Sequence, residues 1–450
     1  MNDIEFERIS PFGVILLAAT TLFLLYLNPV ICLFAAGVVA VFLIIRDYRI
    51  GLFILAGLAF TQLASLQILE AFHVYLLCFA LTFLSFLYAW TKNLELRFRS
   101  SAAFPWLAAF LLFVLISGLY AESNKYWKEE LYSFVRVFIV FFLVIQGIDR
   151  ESTLKLMGKV IVLSLFASSL ISFLELVISN HGFSAMLFIR FLGILTDPND
   201  FAMTLCGALP LAVYYVKSER KFSGKALFFV CLLVFIFFII ITQSRGGIVA
   251  AVLAFFLMIP LFKRKLLVLL SLAIAFLFIL TQIPADLIFF RILQLVDMLM
   301  GRSLADPSFV QRMTLLKSAL AVFFSHPLLG VGANNFVTQS VRYIAQSMYA
   351  HNMFVEVGAG LGLAGLIPFT VVIFLPLFRL PSAIRTALRS NRTTMTDFLK
   401  FFRVSYISMI ITSMFLSSQT KPYLWIIVAM AYAILAMSLR EPQPNNSADR

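Results

Sequence analysis

ALFFVCLLVFIFFIIITQSRGGIVAAVLAFFLMIPLF, residues 226–262, is two apolar runs separated by one short polar break. A bilayer core asks for about 20 consecutive apolar residues per helix. The two runs, 226–243 and 247–262, therefore read as a transmembrane hairpin. Both are continuously apolar rather than alternating, which requires helices and not the strands of a barrel.

The same pattern recurs along nearly the whole chain. Of 450 residues, 62% are hydrophobic and only 13% charged, against about 45–50% apolar residues in soluble domains. So few charges do not cover a water-soluble surface of this size. Apolar runs place spans at 11–28, 30–45, 51–69, 71–90, 102–120, 134–148, 156–178, 201–216, 226–243, 247–262, 266–282, 352–378, 401–418 and 421–439. The expected fold is all-α and polytopic, with about 12–14 transmembrane helices. Three regions follow: N-terminal spans over 1–180, a central region over 181–378, and C-terminal spans with a tail over 379–450. The first run follows the polar MNDIEFERIS with no small-residue cleavage site after it, and reads as an uncleaved span.

The formal net charge of +13 raises the question of nucleic acid. The basic residues are scattered in short loops, however, and the positive-inside rule accounts for them without a polyanionic partner. RDYR (46–49), KNLELRFR (92–99), DRESTLK (149–155), KSERKFSGK (217–225), KRK (263–265) and RLPSAIRTALRSNR (379–392) fall on one side. AESNKYWKEE (121–130) and NHGFSAMLFIRFLGILTDPND (180–200), neutral to acidic, fall on the other. Both termini are expected in the cytoplasm. Cys32, Cys78, Cys206 and Cys231 all lie within apolar runs, where none is placed for a loop disulfide or a metal cluster.

One external break, 283–351, is far longer than the rest, and long loops of this kind are usually functional. Within it QRMTLLKSALAVFFSH (311–326) carries Met313, Leu316, Leu320 and Phe324 at helical spacing. That suits an amphipathic helix at the outer interface. PLLGVGANNF (327–336) then breaks it with Gly330 and Gly332.

Few residues in this chain carry chemistry. Arg245, in TQSRGG (242–247), is a basic residue on the external side, against the positive-inside bias. Two accounts fit it: a functional charge at the membrane boundary, or a side chain snorkelling to headgroups. Arg190, Arg291, Arg302, Arg312, Lys317 and Arg342 are also external. The planar guanidinium fork is the preferred partner of phosphate, so such a cluster on a lipid-embedded protein fits a lipid pyrophosphate. His351 opens AHNMFVEVGAGLGLAGL (350–366), where the long loop re-enters the membrane. It fits either a polar cap at the start of a span or a base taking a proton from a sugar hydroxyl. DPND (197–200) offers Asp197 or Asn199 as a helix N-cap, or a contact to an acceptor. There is no metal-ligand spacing, phosphate-cradling glycine loop or nucleophile elbow, and no DxD-like pair in an external loop. No cofactor and no metal are expected.

In order along the chain, RFLGILTDPNDFA, TQSRGG, QRMTLLKSAL with HPLLGVGANNF, and HNMFVEVGAGLGLAGL resemble the O-antigen ligase and polymerase superfamily over about residues 185–370. The resemblance implies a metal-independent, inverting glycosyltransferase at the outer, periplasmic face of the bacterial inner membrane. It implies an undecaprenyl-pyrophosphate-linked glycan as donor, and as acceptor lipid A–core or a growing glycan. Arg245 and Arg312 match the arginines assigned to the donor pyrophosphate, His351 the histidine assigned to the acceptor hydroxyl, and Arg190 a frequent arginine ahead of the DPN-type motif. The family often has a further acid a few residues after the position of Glu356; here that stretch reads GAGLG (358–362). Ligase and polymerase, including exopolysaccharide polymerase, remain alternatives, with a protein oligosaccharyltransferase behind them. Outside the family the competing class is a transporter, against which stand the absence of an internal repeat and the position of the notable charges at the external boundary.

Overall fold

The computed structural model describes residues 29–61, 70, 73–92, 98–178, 197–262, 307–344 and 347–438. All regular structure among these residues is helical. The helices are α1 (Pro29–Arg46), α2 (Tyr48–Thr61), α3 (Val74–Lys92), α4 (Phe104–Ser117), α5 (Asn124–Gly147), α6 (Glu151–Ile178) and α7 (Pro198–Ser218). There follow α8 (Phe222–Ile241), α9 (Arg245–Met258), α10 (Pro307–Ser325), α11 (Phe336–Ile344), α12 (Met353–Arg389), α13 (Thr393–Ser413) and α14 (Pro422–Ser438). Among the described residues 6 helices are long and apolar enough to cross a membrane, and shorter apolar helices accompany them. The chain is an all-α, multi-pass membrane protein. The expected spans 11–28 and 266–282 lie outside the described residues, as do residues 62–69 and 71–72 of two others; every other expected span overlaps a helix.

Several helix ends differ from the expectation, two of them by long extensions. The span expected at 134–148 belongs to a helix that starts at Asn124. Its first turns are polar, so hydropathy misses them; Trp127 anchors them instead, its indole N–H donating to the Val114 carbonyl at 2.8 Å. An amphipathic indole suits such an interfacial position. The span expected at 352–378 continues as helix to Arg389, through the segment expected to be the loop 379–392. Pro368, Pro376 and Pro381 lie inside that helix. A proline removes the amide that would serve the carbonyl four residues earlier, and Pro376 thereby orphans the carbonyl of Val372. The Tyr432 hydroxyl of α14 donates to it at 3.0 Å, and Tyr406 of α13 serves the neighbouring Ile373 carbonyl at 2.8 Å. In a membrane every backbone polar group needs such a partner.

The helices close on an aromatic core. Phe110 meets Phe134 with ring centroids 4.8 Å apart and Phe369 at 5.5 Å, while Phe138 meets Trp425 at 4.9 Å and Phe141 meets Tyr432 at 5.7 Å. Outward-facing Phe42, Leu84, Phe256, Ile367 and Phe378 are exposed, as lipid-facing positions must be. At one end of the bundle ion pairs staple the helices: Arg49 to Asp149 at 2.8 Å, Arg392 to Glu151 at 2.8 Å and Lys217 to Asp397 at 2.7 Å. The opposite end carries the starts of α5, α7, α9, α12 and α14, and the α10–α11 region folds over it.

The helix expected at 311–326 is present as α10. It packs inward with Leu315, Ala319 and Val322, while Leu320 and Phe324 of the expected stripe stay exposed. The stripe is thus the outward face, and a second apolar face holds α10 to the bundle. After α10, residues 327–332 pair through their backbone with α12. The Val331 and Gly332 amides donate to the carbonyls of Ala359 and Gly360 at 3.1 and 2.8 Å, and the Leu363 and Ala364 amides donate to Pro327 and Leu328 at 2.8 and 3.1 Å. The exchange opens the helix at Gly362, whose φ of 58° and ψ of −160° are closed to other residues. A Cβ there would stand 2.3 Å from the Leu328 carbonyl carbon, and one on Gly330 (φ 68°) 2.4 Å from Gly360.

A polar end assembled around His351

Each sequence motif supplies one strut at this end. Asp197 caps α7, its carboxylate accepting from the Asn199 amide at 2.8 Å, as one of the two accounts of DPND expects. Asn199 is itself spent on the next motif: the Ser244 hydroxyl donates to Asn199 Oδ1 at 2.9 Å. Ser244 caps α9 by accepting from the Gly247 amide, which sets Arg245 as the first residue of that helix, with its side chain exposed. Gly247 lies so close to α7 that a Cβ would stand 2.6 Å from Ala202 Cβ, and one on Gly246 would stand 3.0 Å from Phe415.

The cap of α12 is Asn352, not His351: its side chain accepts from the amides of Phe354 and Val355. His351 sits just before it in the left-handed region, at φ 52°. Its backbone amide donates to Ser417 Oγ at 3.1 Å, and Ser417 donates in turn to Glu356 Oε2 at 3.3 Å. Glu356 Oε2 also accepts from the Ala350 amide. The imidazole is half-buried, and its pKa lies below the usual histidine value. Burial is the main cause and the positive charge of Arg312 the second, opposed by the carboxylates of Asp197 and Asp200. The structure therefore brings His351, Arg312 and the DPND carboxylates into one electrostatic neighbourhood. A neutral imidazole among fixed charges is suited to accept a proton near pH 7.

Arg190 lies outside the described residues, as do Arg291, Arg302 and His181. Arg342 faces Glu122 at 3.8 Å on the exposed periphery; Lys317 and His326 are exposed.

Sequence reasoning missed the connector between α13 and α14. The Met414 carbonyl accepts from Asn352 Nδ2 at 2.9 Å, and Phe415 packs on Gly246. Ser417 holds the His351 loop, and Lys421 pairs with the buried Asp200 at 2.8 Å. Its signal was a polar SSQTK between two apolar spans at the expected external side. Glu130, on α5, was missed as well; it is buried beside Gln419, which donates to it at 3.4 Å.

No curated protein matches the chain. Residues 229–370 match the family model described as O-Antigen ligase, a stretch that runs from α8 into α12 and contains Arg245, Arg312 and His351. The DPND motif, Glu130 and the α13–α14 connector lie outside it. Over this stretch, about a third of the chain, the protein is similar to the O-antigen ligase family.

Proposed function

We propose that the chain is a membrane glycosyltransferase that moves a glycan from undecaprenyl pyrophosphate to a hydroxyl of lipid A–core. The observation that carries this reading is the pairing of a pKa-lowered His351 with Arg312 at the end of the bundle where α9 begins with Arg245. In the proposed step the acceptor hydroxyl oxygen bonds to the anomeric carbon and gives its proton to His351. The bond from that carbon to the pyrophosphate oxygen breaks with its electron pair on the leaving group, and the anomeric configuration inverts. Arg245 and Arg312 stabilise the departing charge, with Arg190 joining them on the donor. Fixed cationic donors at a developing charge supply much of the barrier reduction in such reactions. No metal takes part in the transfer.

This reading places the protein in the bacterial inner membrane with both termini in the cytoplasm and His351 facing the periplasm. Residues 181–378 are the catalytic region, supported by the spans on either side. The deciding experiment is the surface-glycan profile of a deletion strain together with its extracted lipid-linked glycans. Loss of long-chain lipopolysaccharide with accumulation of long polyprenyl-linked polymer is the expected result. Core carrying a single repeat unit, with no long polymer anywhere, assigns polymerase instead. Unchanged lipopolysaccharide overturns the lipid A–core acceptor.

A further inference from the structure

Behind the His351 loop, four polar side chains from separate elements line one cavity of ≈10 Å³: Glu130 of α5, Asn334, Glu356 of α12 and Gln419 of the α13–α14 connector. Their exposures are 8%, 7%, 4% and 2%. Three of their oxygens, Asn334 Oδ1, Glu356 Oε1 and Gln419 Oε1, are buried with no hydrogen-bond partner in the protein. All three are acceptors. Among the described residues neither carboxylate has a salt-bridge partner; the one donor reaching Glu130 is Gln419 Nε2, at a long 3.4 Å. A buried carboxylate without compensation is costly, and here two share one cavity.

We infer that Glu130, Glu356, Asn334 and Gln419 are the ligand shell of a single hard cation. A cavity of about this volume admits one water-sized centre. A single water donates two hydrogen bonds, fewer than the three unpartnered acceptors require. A cation satisfies all of them at once, and carboxylate and amide oxygens are the ligands that hard cations take. Two carboxylates balance the charge of a dication. Mg²⁺ keeps several of its waters, for which this space has no room, so the site suits Ca²⁺ first and Na⁺ second. Such a cation lies behind His351, not on the donor, and its role is structural. It fixes Glu356, whose other oxygen holds the Ala350 amide and Ser417, and through them the loop that presents His351. Only this last link to catalysis rests on the proposed function; the binding site does not.

The test uses the full-length protein in lipid nanodiscs, stripped of cations with a chelator and exchanged into choline chloride. Binding of radioactive Ca²⁺ and the thermal unfolding midpoint are followed as CaCl₂ or NaCl is added, up to about 10 mM, above the roughly 10⁻⁴–10⁻³ M range of extracellular calcium modules. The expected result is saturable binding of one Ca²⁺ per chain with a saturating rise in the midpoint. Both are lost in Glu130→Gln and Glu356→Gln and kept in Lys317→Ala, a surface change elsewhere. A midpoint that saturates with Na⁺ in place of Ca²⁺, and does so through the same two glutamates, also supports the site. No saturable response of the wild-type protein to either ion overturns it, as does an unchanged response in both glutamine variants. Because the readout is binding, a His351→Ala variant that still transfers glycan would sink the proposed function while leaving the cation site standing.

Discussion

The backbone amide of His351 donates to the side-chain oxygen of Ser417 at 3.1 Å, across the gap between the start of α12 and the α13–α14 connector. Ser417 passes the constraint on to Glu356, so the left-handed conformation of His351 is held from outside its own loop. Removing the hydroxyl with Ser417→Ala loosens the imidazole without altering its chemistry. Loss of one hydrogen bond, about 1 kcal/mol, corresponds to roughly a fivefold fall in kcat. KM for the donor stays near that of the wild type. His351→Ala should cost about 10²–10⁴-fold while the protein still folds and inserts. Transfer assays on purified protein in nanodiscs separate the two.

The charges around His351 predict a pH profile. The imidazole acts as a base only when neutral, and burial with Arg312 lowers its pKa from the ordinary value. Activity should therefore rise with pH through an acid limb below about 6.5, the ordinary histidine value, and be level by neutrality. Asp200 raises the histidine pKa, so Asp200→Asn should move the limb to lower pH. Arg312→Gln removes a lowering charge and should move it to higher pH in whatever activity remains, whereas Arg312→Lys keeps it in place. The pH dependence of kcat/KM reports these free-enzyme values.

Arg245 should be sensitive both directly and through its support. Arg245→Ala removes a donor to the departing pyrophosphate and should lower kcat by about 10²–10³-fold, the usual cost of one such donor. Asn199→Leu leaves Arg245 in place but removes the 2.9 Å partner of the buried Ser244 hydroxyl. An orphaned buried hydroxyl costs about 1–3 kcal/mol. This variant should show a lower unfolding midpoint together with reduced kcat, in contrast to the unchanged midpoint of Arg245→Ala.

Gly362→Ala should be among the most damaging single changes in the chain. The added Cβ meets the Leu328–Leu329 backbone at 2.3–2.5 Å, at a φ/ψ closed to alanine and worth about 1–3 kcal/mol of strain on its own. The segment 327–332 must then leave α12, exposing the paired backbone groups. Limited proteolysis should cut between α10 and α11 in the variant and not in the wild type.

Much of this fold was legible in the sequence, because a membrane span is a local property of contiguous residues. α8 and α9 coincide closely with their apolar runs. The start of α5 at Asn124 was not legible, since NKYWKEELYS is polar and its helicity rests on Trp127 seated against α4. Nor was the continuation of α12 past Pro376, whose orphaned Val372 carbonyl is served by Tyr432 of α14. Of the candidate site, His351 and Arg312 stood out by position and by resemblance. Ser417, Gln419, Lys421 and Glu130 did not, because their significance lies in contacts between distant parts of the chain, and no local pattern records them.

The joint between 327–332 and α12 is made by main-chain atoms, and this frees the side chains it carries. Leu328 and Leu329 are 69% and 45% exposed while their carbonyls are engaged by Ala364 and Tyr120. Their identity is therefore decoupled from the architecture beneath them. This makes the pair a rewritable label on the polar end of the protein, open to a spectroscopic probe or an altered acceptor preference without unseating the histidine loop below.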